Sequence, residues 1–314
     1  MADYKEIKGF KWQSVSSDPT NPVLGQVWYN SSAPGTLKYR GFSDASWATG
    51  GNMGTARAGN GTSTAGTQTA LTTFGGYTPP GATAVNNTEE YNGSSWTGGG
   101  NLPTTIRNCA GAGAQDSTLS VGGVGNPGEA LEYNGTSWSD GGNMAGIGNC
   151  PGQAFGTQTA ALAFDAEESE EYNGSSWTSG GTPGRGKVQG GCAGTQTAGI
   201  AYGGEPATAT AEIYNGTSWT SSPAMVAGKQ SQAGFGIQTL AVSAGGTPAP
   251  SAICEIFNGV SFATTASLNT ARSQNLGGGT SPAGITCGGY ISAPSNATEE
   301  FSGAVAVTKG ITVS

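Results

Sequence analysis

The 314-residue sequence contains no histidine, and only 10% of its residues are charged. The absence of His removes the commonest general base, any Ser-His-Asp triad and the imidazole ligands of copper or mixed zinc sites. The formal charge is −8 and no Lys/Arg-rich run exists, so a nucleic-acid partner is not expected. No stretch approaches 18 apolar residues and no apolar leader opens the chain, so neither membrane insertion nor secretion by a signal peptide is expected.

Carboxylates occur in adjacent pairs, and we assign them no catalytic role. Neighbouring residues on a strand point to opposite faces, so the two carboxyl groups of one pair cannot act together on one substrate. An acidic loop at Asp165, Glu167 and Glu168 lacks the spacing of an EF-hand and is interpreted as a solvated loop. The sequence therefore predicts no enzyme activity, no cofactor and no metal site. The pairs are Glu89-Glu90, Glu170-Glu171 and Glu299-Glu300.

Cysteine is scarce, with five residues and no CxxC motif. Cys109, Cys150 and Cys192 each follow a tryptophan by 12 to 15 residues, so they occupy roughly one position in three consecutive repeats. We interpret them as small buried residues beside glycine on an inner strand. A metal-binding or redox role is the alternative.

Glycine is abundant, at 56 residues, and the chain carries a repeat. Its clearest copy is Glu-Tyr-Asn-Gly-Ser-Ser-Trp at residues 90–96, and related copies end in a large aromatic residue at steps of 39 to 49 residues. A fixed period in the forties indicates one supersecondary unit stacked many times. The aromatic residues, interpreted as structural, are Trp47, Trp96, Trp138, Trp177, Trp219 and Phe262, with a weaker copy ending near Ala306.

One repeat reads as four short antiparallel strands. Residues 157–164 alternate partly and residues 169–172 form a second extended run, which Asn173-Gly174 is predicted to join to Trp177 through a two-residue type I′ turn. A single sheet of this kind cannot bury both faces, but a ring of sheets can. The predicted fold is therefore an all-β propeller of four-stranded antiparallel blades, with the Gly-rich segments of each repeat as the innermost strands.

These repeats resemble the kelch family, whose strands end in a diglycine followed by a Tyr and, several residues later, a Trp. An Arg or Lys also precedes the predicted inner strand in five repeats, and the third repeat departs from the pattern with Asp165-Ala166 in place of the diglycine. The resemblance covers residues 47 to about 310 and implies a kelch-like β-propeller. The diglycines are Gly75-Gly76, Gly122-Gly123, Gly203-Gly204, Gly245-Gly246 and Gly288-Gly289, and the basic residues are Arg57, Arg107, Arg185, Lys229 and Arg272.

The number of blades depends on the first 47 residues. Six units between residues 48 and 310 carry all four strands. Residues 26–47 match the length of a further unit, so seven blades are favoured; the alternative is six blades with an N-terminal β arm. The expected domains are an N-terminal segment or divergent first blade at residues 1–47 and the repeats at residues 48–314.

The strand order places two sets of connections on opposite faces. Connections between the second and third strands, and between successive units, vary in sequence and share one face, whereas the Asn-Gly hairpins and Gly-Thr-Gln-Thr turns on the other face are nearly uniform. Variable loops on a rigid scaffold are typical of binding sites. Tyr77, Glu205 and Tyr290 are therefore the predicted binding residues, with loops that merely cap the ring as the alternative.

The N-terminus resembles a module of tail and fibre proteins from tailed bacteriophages. The resemblance covers about 50 residues and rests on Gly-Gln-Val-Trp-Tyr-Asn at residues 25–30, Thr-Leu-Lys-Tyr at residues 36–39, Trp47 and the opening residues 2–9. It implies a virion protein, tail fibre or capsid appendage, assembled in the host cytoplasm and attached to other virion proteins through its N-terminus.

The resemblance and the composition lead to two functional expectations. The favoured one is a non-enzymatic virion protein that presents a propeller for host attachment, with a host-surface glycan as ligand and a homo-oligomer as the usual assembly. The alternative is a cellular kelch-type domain that binds a protein partner through the variable face.

Overall fold

The chain folds into β-strands without helices in the residues that the structure describes. The computed structural model describes residues 13–20, 26–32, 35–42, 44–147, 153–165, 167–184, 189–304 and 306–311. Two compact units are present. The first unit combines Met1–Ala45 with Ala304–Ser314, and the second unit is Ser46–Gly303.

The first unit contains one four-stranded sheet with the order β1-β2-β3-β30. The pairing of β1 with β2 is parallel, and the other two pairings are antiparallel. Trp28 is fully buried in β2, and its Nε1 donates to Asp18 Oδ1 at 3.1 Å. Asn30 and Lys38 also donate to the Asp18 carboxylate, at 2.7 and 2.8 Å. The strands are β1 (Gln13–Val15), β2 (Val27–Asn30), β3 (Thr36–Phe42) and β30 (Ala306–Ile311).

The hydrogen bonds to Asp18 predict how the first unit responds to acid. Lys38, Asn30 and Trp28 lower the pKa of Asp18 to about 2 from an ordinary value of 3.8. A carboxylate with a depressed pKa contributes stability that is complete above its unfolded pKa and is lost as the pH falls through its folded pKa. The indole N–H signal of Trp28 in NMR spectra should therefore shift with a midpoint near pH 2. The shift should vanish in Asp18→Asn, and a midpoint near pH 4 would contradict this account.

The second unit contains six four-stranded antiparallel sheets, numbered first to sixth along the chain, and a small hairpin. From the innermost strand outward, the first sheet is β5 (Gly61–Thr62), β6 (Leu71–Phe74), β9 (Thr88–Tyr91) and β10 (Trp96–Gly98), and the hairpin is β7 (Tyr77–Thr78) with β8 (Thr83–Ala84). The second sheet is β11 (Ala110–Ala114), β12 (Ser117–Val121), β13 (Glu129–Tyr133) and β14 (Trp138–Asn143). The third sheet is β15 (Gln153–Thr157), β16 (Ala160–Phe164), β17 (Ser169–Tyr172) and β18 (Trp177–Ser179).

The remaining three sheets follow the same order. The fourth sheet is β19 (Gly191–Thr195), β20 (Ala198–Tyr202), β21 (Ala211–Tyr214) and β22 (Trp219–Ser222). The fifth sheet is β23 (Ala233–Ile237), β24 (Leu240–Ala244), β25 (Cys254–Phe257) and β26 (Phe262–Thr265). The sixth sheet is β27 (Leu276–Thr280), β28 (Ala283–Cys287), β29 (Thr298–Ser302) and β4 (Ser46–Thr49).

The innermost strands close into a ring. β5 contacts β11, which contacts β15, and the series continues through β19, β23 and β27 back to β5. These strands are rich in small residues because neighbouring backbones approach closely around the axis. A Cβ on Gly234 in β23 would lie 2.5 Å from the carbonyl oxygen of Cys192 in the neighbouring innermost strand β19. The predicted all-β propeller of four-stranded sheets is confirmed, and so is the placement of Gly-rich segments on the innermost strands.

The seven-blade arrangement is not what the strand pairing shows. It required Ser46–Thr49 to complete a sheet with Thr36–Phe42, but β4 pairs with β29, with Trp47 opposite Phe301. β3 instead pairs with β30 in the first unit. Among the described residues, six sheets therefore close the ring of the second unit. The pairing favours the alternative of six blades with an N-terminal β arm, and it places Trp47 with the propeller sheets.

The Asn-Gly hairpins differ from the predicted two-residue turns. Tyr91 pairs with Trp96, so the connection contains four residues, 92–95. Gly93 has a φ of +89°, but Asn92 does not adopt a positive φ. The Asn92 side chain instead accepts hydrogen bonds from the backbone N–H groups of Ser94 and Ser95 at 3.0 and 2.9 Å. This self-capping by Asn stabilises a longer loop and removes the need for a type I′ turn.

The repeat aromatic residues occupy equivalent places in the six sheets. Each begins an outermost strand, except Trp47, which is the second residue of β4, and each packs on the aromatic residue of the third strand with ring centroids 4.8–5.0 Å apart. They also contact the preceding sheet; Trp138, for example, lies 5.0 Å from Phe74. The pairs are Tyr91–Trp96, Tyr133–Trp138, Tyr172–Trp177, Tyr214–Trp219, Phe257–Phe262 and Phe301–Trp47.

The indole N–H groups reveal a matching rule between neighbouring sheets. Nε1 of Trp96, Trp138 and Trp219 donates to a Thr or Ser hydroxyl that begins the third strand of the preceding sheet, at 2.9–3.3 Å. Phe262 has no N–H and packs in a cluster with Ala211, which holds the same place. Trp177 packs in a cluster with Ala130, and its buried Nε1 has no acceptor among the described residues.

Ala130→Ser should therefore stabilise the protein. The new hydroxyl would accept from Trp177 Nε1, and we expect the free energy of unfolding to rise by about 1 kcal/mol. Ala211→Ser is the matched control, because it buries a hydroxyl opposite Phe262 and should lower the free energy of unfolding by about 1–3 kcal/mol. Urea unfolding of both variants tests the rule; equal effects of the two substitutions would refute it.

Candidate ligand-binding site

The two faces of the second unit use their side chains differently. We call the face with the hairpins and the turns between first and second strands the turn face, and the opposite one the loop face. On the turn face, each turn glutamine donates its amide hydrogens to two backbone carbonyls of the preceding sheet, at 2.7–3.3 Å. The glutamines that make these bonds, which we call clamps, are Gln68, Gln115, Gln158, Gln196 and Gln238. The uniform turn sequence therefore has a structural cause, because it ties neighbouring sheets together.

We call the contact between two neighbouring sheets a seam. A second pair of complementary side chains recurs in these seams. In four seams a third-strand Tyr donates its hydroxyl to a Glu of the preceding sheet at 2.5–2.8 Å. Where the third strand carries Phe257, the preceding sheet carries Ile213, which packs against the same cluster. Burial and the adjacent carboxylate raise the pKa of Tyr91 and of Tyr133 to about 12. The four pairs are Tyr91–Glu300, Tyr133–Glu90, Tyr172–Glu132 and Tyr214–Glu171.

The other carboxylate of two adjacent pairs, and the single carboxylate of Glu255, form buried ion pairs. Glu299 forms an ion pair with Arg272 at 2.7 Å, and both side chains are buried. Arg57 pairs with Glu89 in the same way, and Lys229 with Glu255 at 3.3 Å. Backbone N–H groups of the preceding connection donate to the same carboxylates, as Asn269 and Thr270 do to Glu299. Basic residues that the sequence singled out thus anchor the connections; Arg185 lies outside the described residues.

A cavity opens on the loop face at the ring axis. It measures about 130 Å³, enough for several water molecules or one small polar group, and a second cavity of about 30 Å³ lies deeper. Its rim consists of the residues that lead each connection into an inner strand, and these share an unusual backbone conformation. They are Gly59, Asn108, Gln189, Ser231 and Gln274, with φ between +52° and +60°.

Backbone hydrogen bonds link these rim residues in series. The N–H of Gln274 donates to the carbonyl of Ser231 at 2.7 Å, and Gly59 donates to Gln274 at 3.2 Å. Asn108 donates to Gly59 at 2.7 Å, and Ser231 donates to Gln189. We call this series the rim belt; the matching part of the third sheet, residues 148–152, lies outside the described residues. The belt occupies the backbone polar groups of the rim, so its side chains remain to contact a ligand.

The three predicted binding residues lie beside this rim. The Tyr77 hydroxyl donates to Gln274 Oε1, and burial raises the pKa of Tyr77. Glu205 Oε2 accepts from Gln189 Nε2 at 3.1 Å. Tyr290, which is 37% exposed, pairs through its backbone with Ser273, the neighbour of Gln274. The structure therefore brings the three residues to one cavity mouth, where they buttress the rim.

The rim residues themselves were not found by sequence reasoning. Asn108, Gln189, Ser231 and Gln274 differ in side chain, and only their position two residues before an inner strand unites them. Asn tolerates a positive φ and Gly59 favours it, which are weak signals in the sequence. Register with the diglycines could have located the position.

The cysteines that the structure describes are buried, as the interpretation of Cys109 and Cys192 required; Cys150 lies outside the described residues. Burial raises the pKa of Cys192 to about 12 and those of Cys254 and Cys287 to about 11. Because the thiolate is the reactive form, these three thiols should react with a disulfide reagent at pH 8 at least about 100-fold more slowly in the folded than in the unfolded protein. Mass spectrometry of labelled peptides would locate the modification, and rapid labelling of Cys192 would contradict the structure.

Comparison with known proteins identifies the fold. No protein-family model and no curated protein matches the chain. The solved structure of YjhT is similar, with a TM-score of 0.63 and 12% sequence identity, over 83% of this chain and 96% of that chain. At this identity the similarity concerns the fold alone, and together with the closed ring of sheets it defines the chain as a β-propeller protein.

Two further features describe the chemistry open to the chain. Within the described part of the chain, no group of three or more Cys, Asp or Glu side chains is arranged to hold a metal ion. The same residues include no helix of the length and apolar character needed to cross a membrane. In the acidic loop, Asp165 Oδ1 accepts from the backbone N–H groups of Glu167 and Glu168 at 2.8 and 2.9 Å, so this carboxylate shapes its own loop.

Proposed function

We propose that this chain is a non-enzymatic structural protein of a bacteriophage particle, a tail fibre or capsid appendage, that presents its propeller for attachment to the host surface. The observation that carries the proposal is the contrast between the two faces. Turn-face glutamine side chains tie neighbouring sheets together, whereas the loop face offers a cavity whose rim residues differ in side chain. A rigid body with one differentiated face suits adhesion.

The carboxylates support a role without catalysis. Glycoside hydrolysis requires two carboxyl groups facing one cleft. The adjacent pair Glu89-Glu90 instead divides between Arg57 and Tyr133, in two different seams. The pair Glu299-Glu300 divides in the same way between Arg272 and Tyr91. Both members of each pair thus hold the ring together.

The first unit is the proposed attachment segment to other virion proteins. Its phage-like motif at residues 25–30 includes β2, where Trp28 is buried and Tyr29 is 41% exposed. The opening residues 2–9, which carry part of the resemblance, lie outside the described residues. Assembly in the host cytoplasm agrees with Cys192, Cys254 and Cys287 remaining as free thiols.

Electron cryomicroscopy of the particles made with variant chains tests this proposal. Deletion of residues 1–35 should abolish incorporation, while Gln274→Gly on the loop face should leave it unchanged. The propellers should appear as appendages held by their N-termini. Incorporation of the truncated chain would refute attachment through the first unit. Absence of the intact chain from particles, with specific capture of a cellular protein, would replace the proposal by a kelch-type interaction domain.

A further inference from the structure

The rim belt keeps side chains at positions where glycine would be easier to accommodate. A residue with a Cβ is strained at a φ near +55°, and glycine is not. Gly59 shows that glycine fits the belt. Four of the five non-glycine residues with a positive φ in the described chain are nevertheless belt residues, Asn108, Gln189, Ser231 and Gln274. Strained residues persist where their side chains serve a function. The belt side chains therefore have a role besides forming the backbone series.

The side chains of the rim form two walls. On one wall, Tyr77 lies beside Gly59, where a Cβ would meet both the Asn108 side chain and the Tyr77 ring, at 3.3 Å from the latter. The absence of a side chain at Gly59 lets Tyr77 reach across to Gln274. On the other wall, Ser231 Oγ donates to Gln189 Oε1 at 2.9 Å, and Gln189 donates to Glu205. Each wall is held in place by its own hydrogen bonds.

The walls leave defined hydrogen-bonding capacity for a ligand. Gln274 accepts through Oε1, so its Nε2 hydrogens remain as donors. The exposed Asn108 amide makes no side-chain hydrogen bond to another described residue and offers both a donor and an acceptor. The lining side chains of the cavity are uncharged, and Leu276 and Cys109 give it apolar surface. Paired donors and acceptors beside an aromatic ring and apolar surface suit an uncharged, hydroxyl-rich ligand.

We propose that the cavity mouth binds a neutral hexopyranose, the terminal residue of a surface glycan, between Asn108, Gln274 and the ring of Tyr77. The cavity of about 130 Å³ admits one edge of a sugar ring and the narrower cavity below it stops further entry. This inference rests on the proposed function and deepens it, because it assigns the ligand class and the contact residues of the loop face.

Ligand-observed NMR on the purified full-length chain tests the proposal. The probes are the methyl glycosides of mannose, galactose and N-acetylglucosamine, with glucuronate and glucosamine as charged counterparts. Saturation transfer is expected to at least one neutral sugar and to neither charged one. Asn108→Gly and Gln274→Gly keep a residue suited to the belt conformation, and each should weaken the transfer at least fivefold. Ala82→Gly is the matched control, since Ala82 has a φ of +55° outside the cavity, and it should bind like the parent.

Each other outcome overturns the proposal. Transfer to no neutral sugar, stronger transfer to a charged sugar, or equal transfer in parent and glycine variants would do so. If a glycine variant fails to fold, the side-chain amide signals of Gln274 in the parent decide, because they must shift on titration with the sugar. If the chain is found on particles but binds no sugar, only this inference is refuted. If the chain binds sugar but is absent from particles, only the virion proposal is refuted.

Discussion

Glu299→Leu is expected to lower the free energy of unfolding by about 3–5 kcal/mol, because it leaves the buried Arg272 guanidinium without its partner. Both side chains of this ion pair are buried, and the carboxylate also accepts two backbone N–H groups. The second sheet shows that leucine fits this place, since Leu131 occupies it and Arg107 is there only half-buried. Urea unfolding at pH 7 measures the loss.

A second substitution separates the buried charge from the lost packing. Arg272→Met in the Glu299→Leu background removes the unpaired cation, and the double variant should be no less stable than Glu299→Leu alone. Arg272 also donates to the carbonyls of Gly288 and Ala297, at 3.0 Å each, so full recovery is not expected. Additive losses from the two substitutions would show that the charge is not the cause.

Replacing both residues of one Tyr–Glu pair by Phe and Ile is expected to lower the free energy of unfolding far less than replacing either residue alone. Glu90→Ile leaves the Tyr133 hydroxyl without its acceptor, and Tyr133→Phe leaves Glu90 without its donor. Each single change should lower the free energy of unfolding by about 1–3 kcal/mol. The double variant reproduces the pairing that Phe257 and Ile213 already make between the fourth and fifth sheets, so its free energy of unfolding should approach that of the parent.

A double-mutant cycle measures the coupling in this seam. We expect an interaction energy of about 1–2 kcal/mol between positions 90 and 133, because the residues share a hydrogen bond of 2.5 Å. As a control, the cycle between Glu90 and Phe257, which lie in different seams, should give no coupling. A zero value for the first cycle would mean that the seams tolerate mixed pairs, and the matching of residue types would then lack an energetic basis.

The repeat was the part of the fold that local sequence could predict. The aromatic residues, the diglycines and the Gly-rich inner strands recur in one register, so the four-stranded unit and the all-β ring follow from them. Both glycines of Gly75-Gly76 have positive φ, at +59° and +94°. A Cβ on Gly75 would lie 2.8 Å from the carbonyl oxygen of Ile106, which explains why the diglycine recurs.

The pairing of β4 with β29, which joins distant parts of the chain, was not predictable from the repeat. Ser46–Thr49 has the length and composition of a fourth strand, but its partner lies about 250 residues away, and periodicity carries no information on that choice. For this reason the strand pairing does not support the seven-blade assignment. The hairpins were misjudged because the Asn side chain competes with the backbone geometry of a type I′ turn.

Part of the candidate site was also predictable. Loop variability pointed to the face of Tyr77, Glu205 and Tyr290, and these residues contact the rim residues or their neighbours. The sequence did not reveal the rim residues, because Gln189, Ser231 and Gln274 have ordinary side chains in an unusual backbone conformation. That conformation is imposed by hydrogen bonds between sheets, and such bonds leave no local pattern.

The pairing of β4 with β29 also sets the order of events during synthesis. Thr49 leaves the ribosome early, whereas its partner Glu299 is among the last residues of the second unit to be made. At about 5–20 residues per second, translation of the intervening chain takes roughly 12–50 s. During that time the five preceding sheets can form and stack, but the ring cannot close. The last step in folding of the second unit is therefore the pairing of its first strand, β4, with its last strand, β29, and the timing of this step is set by translation.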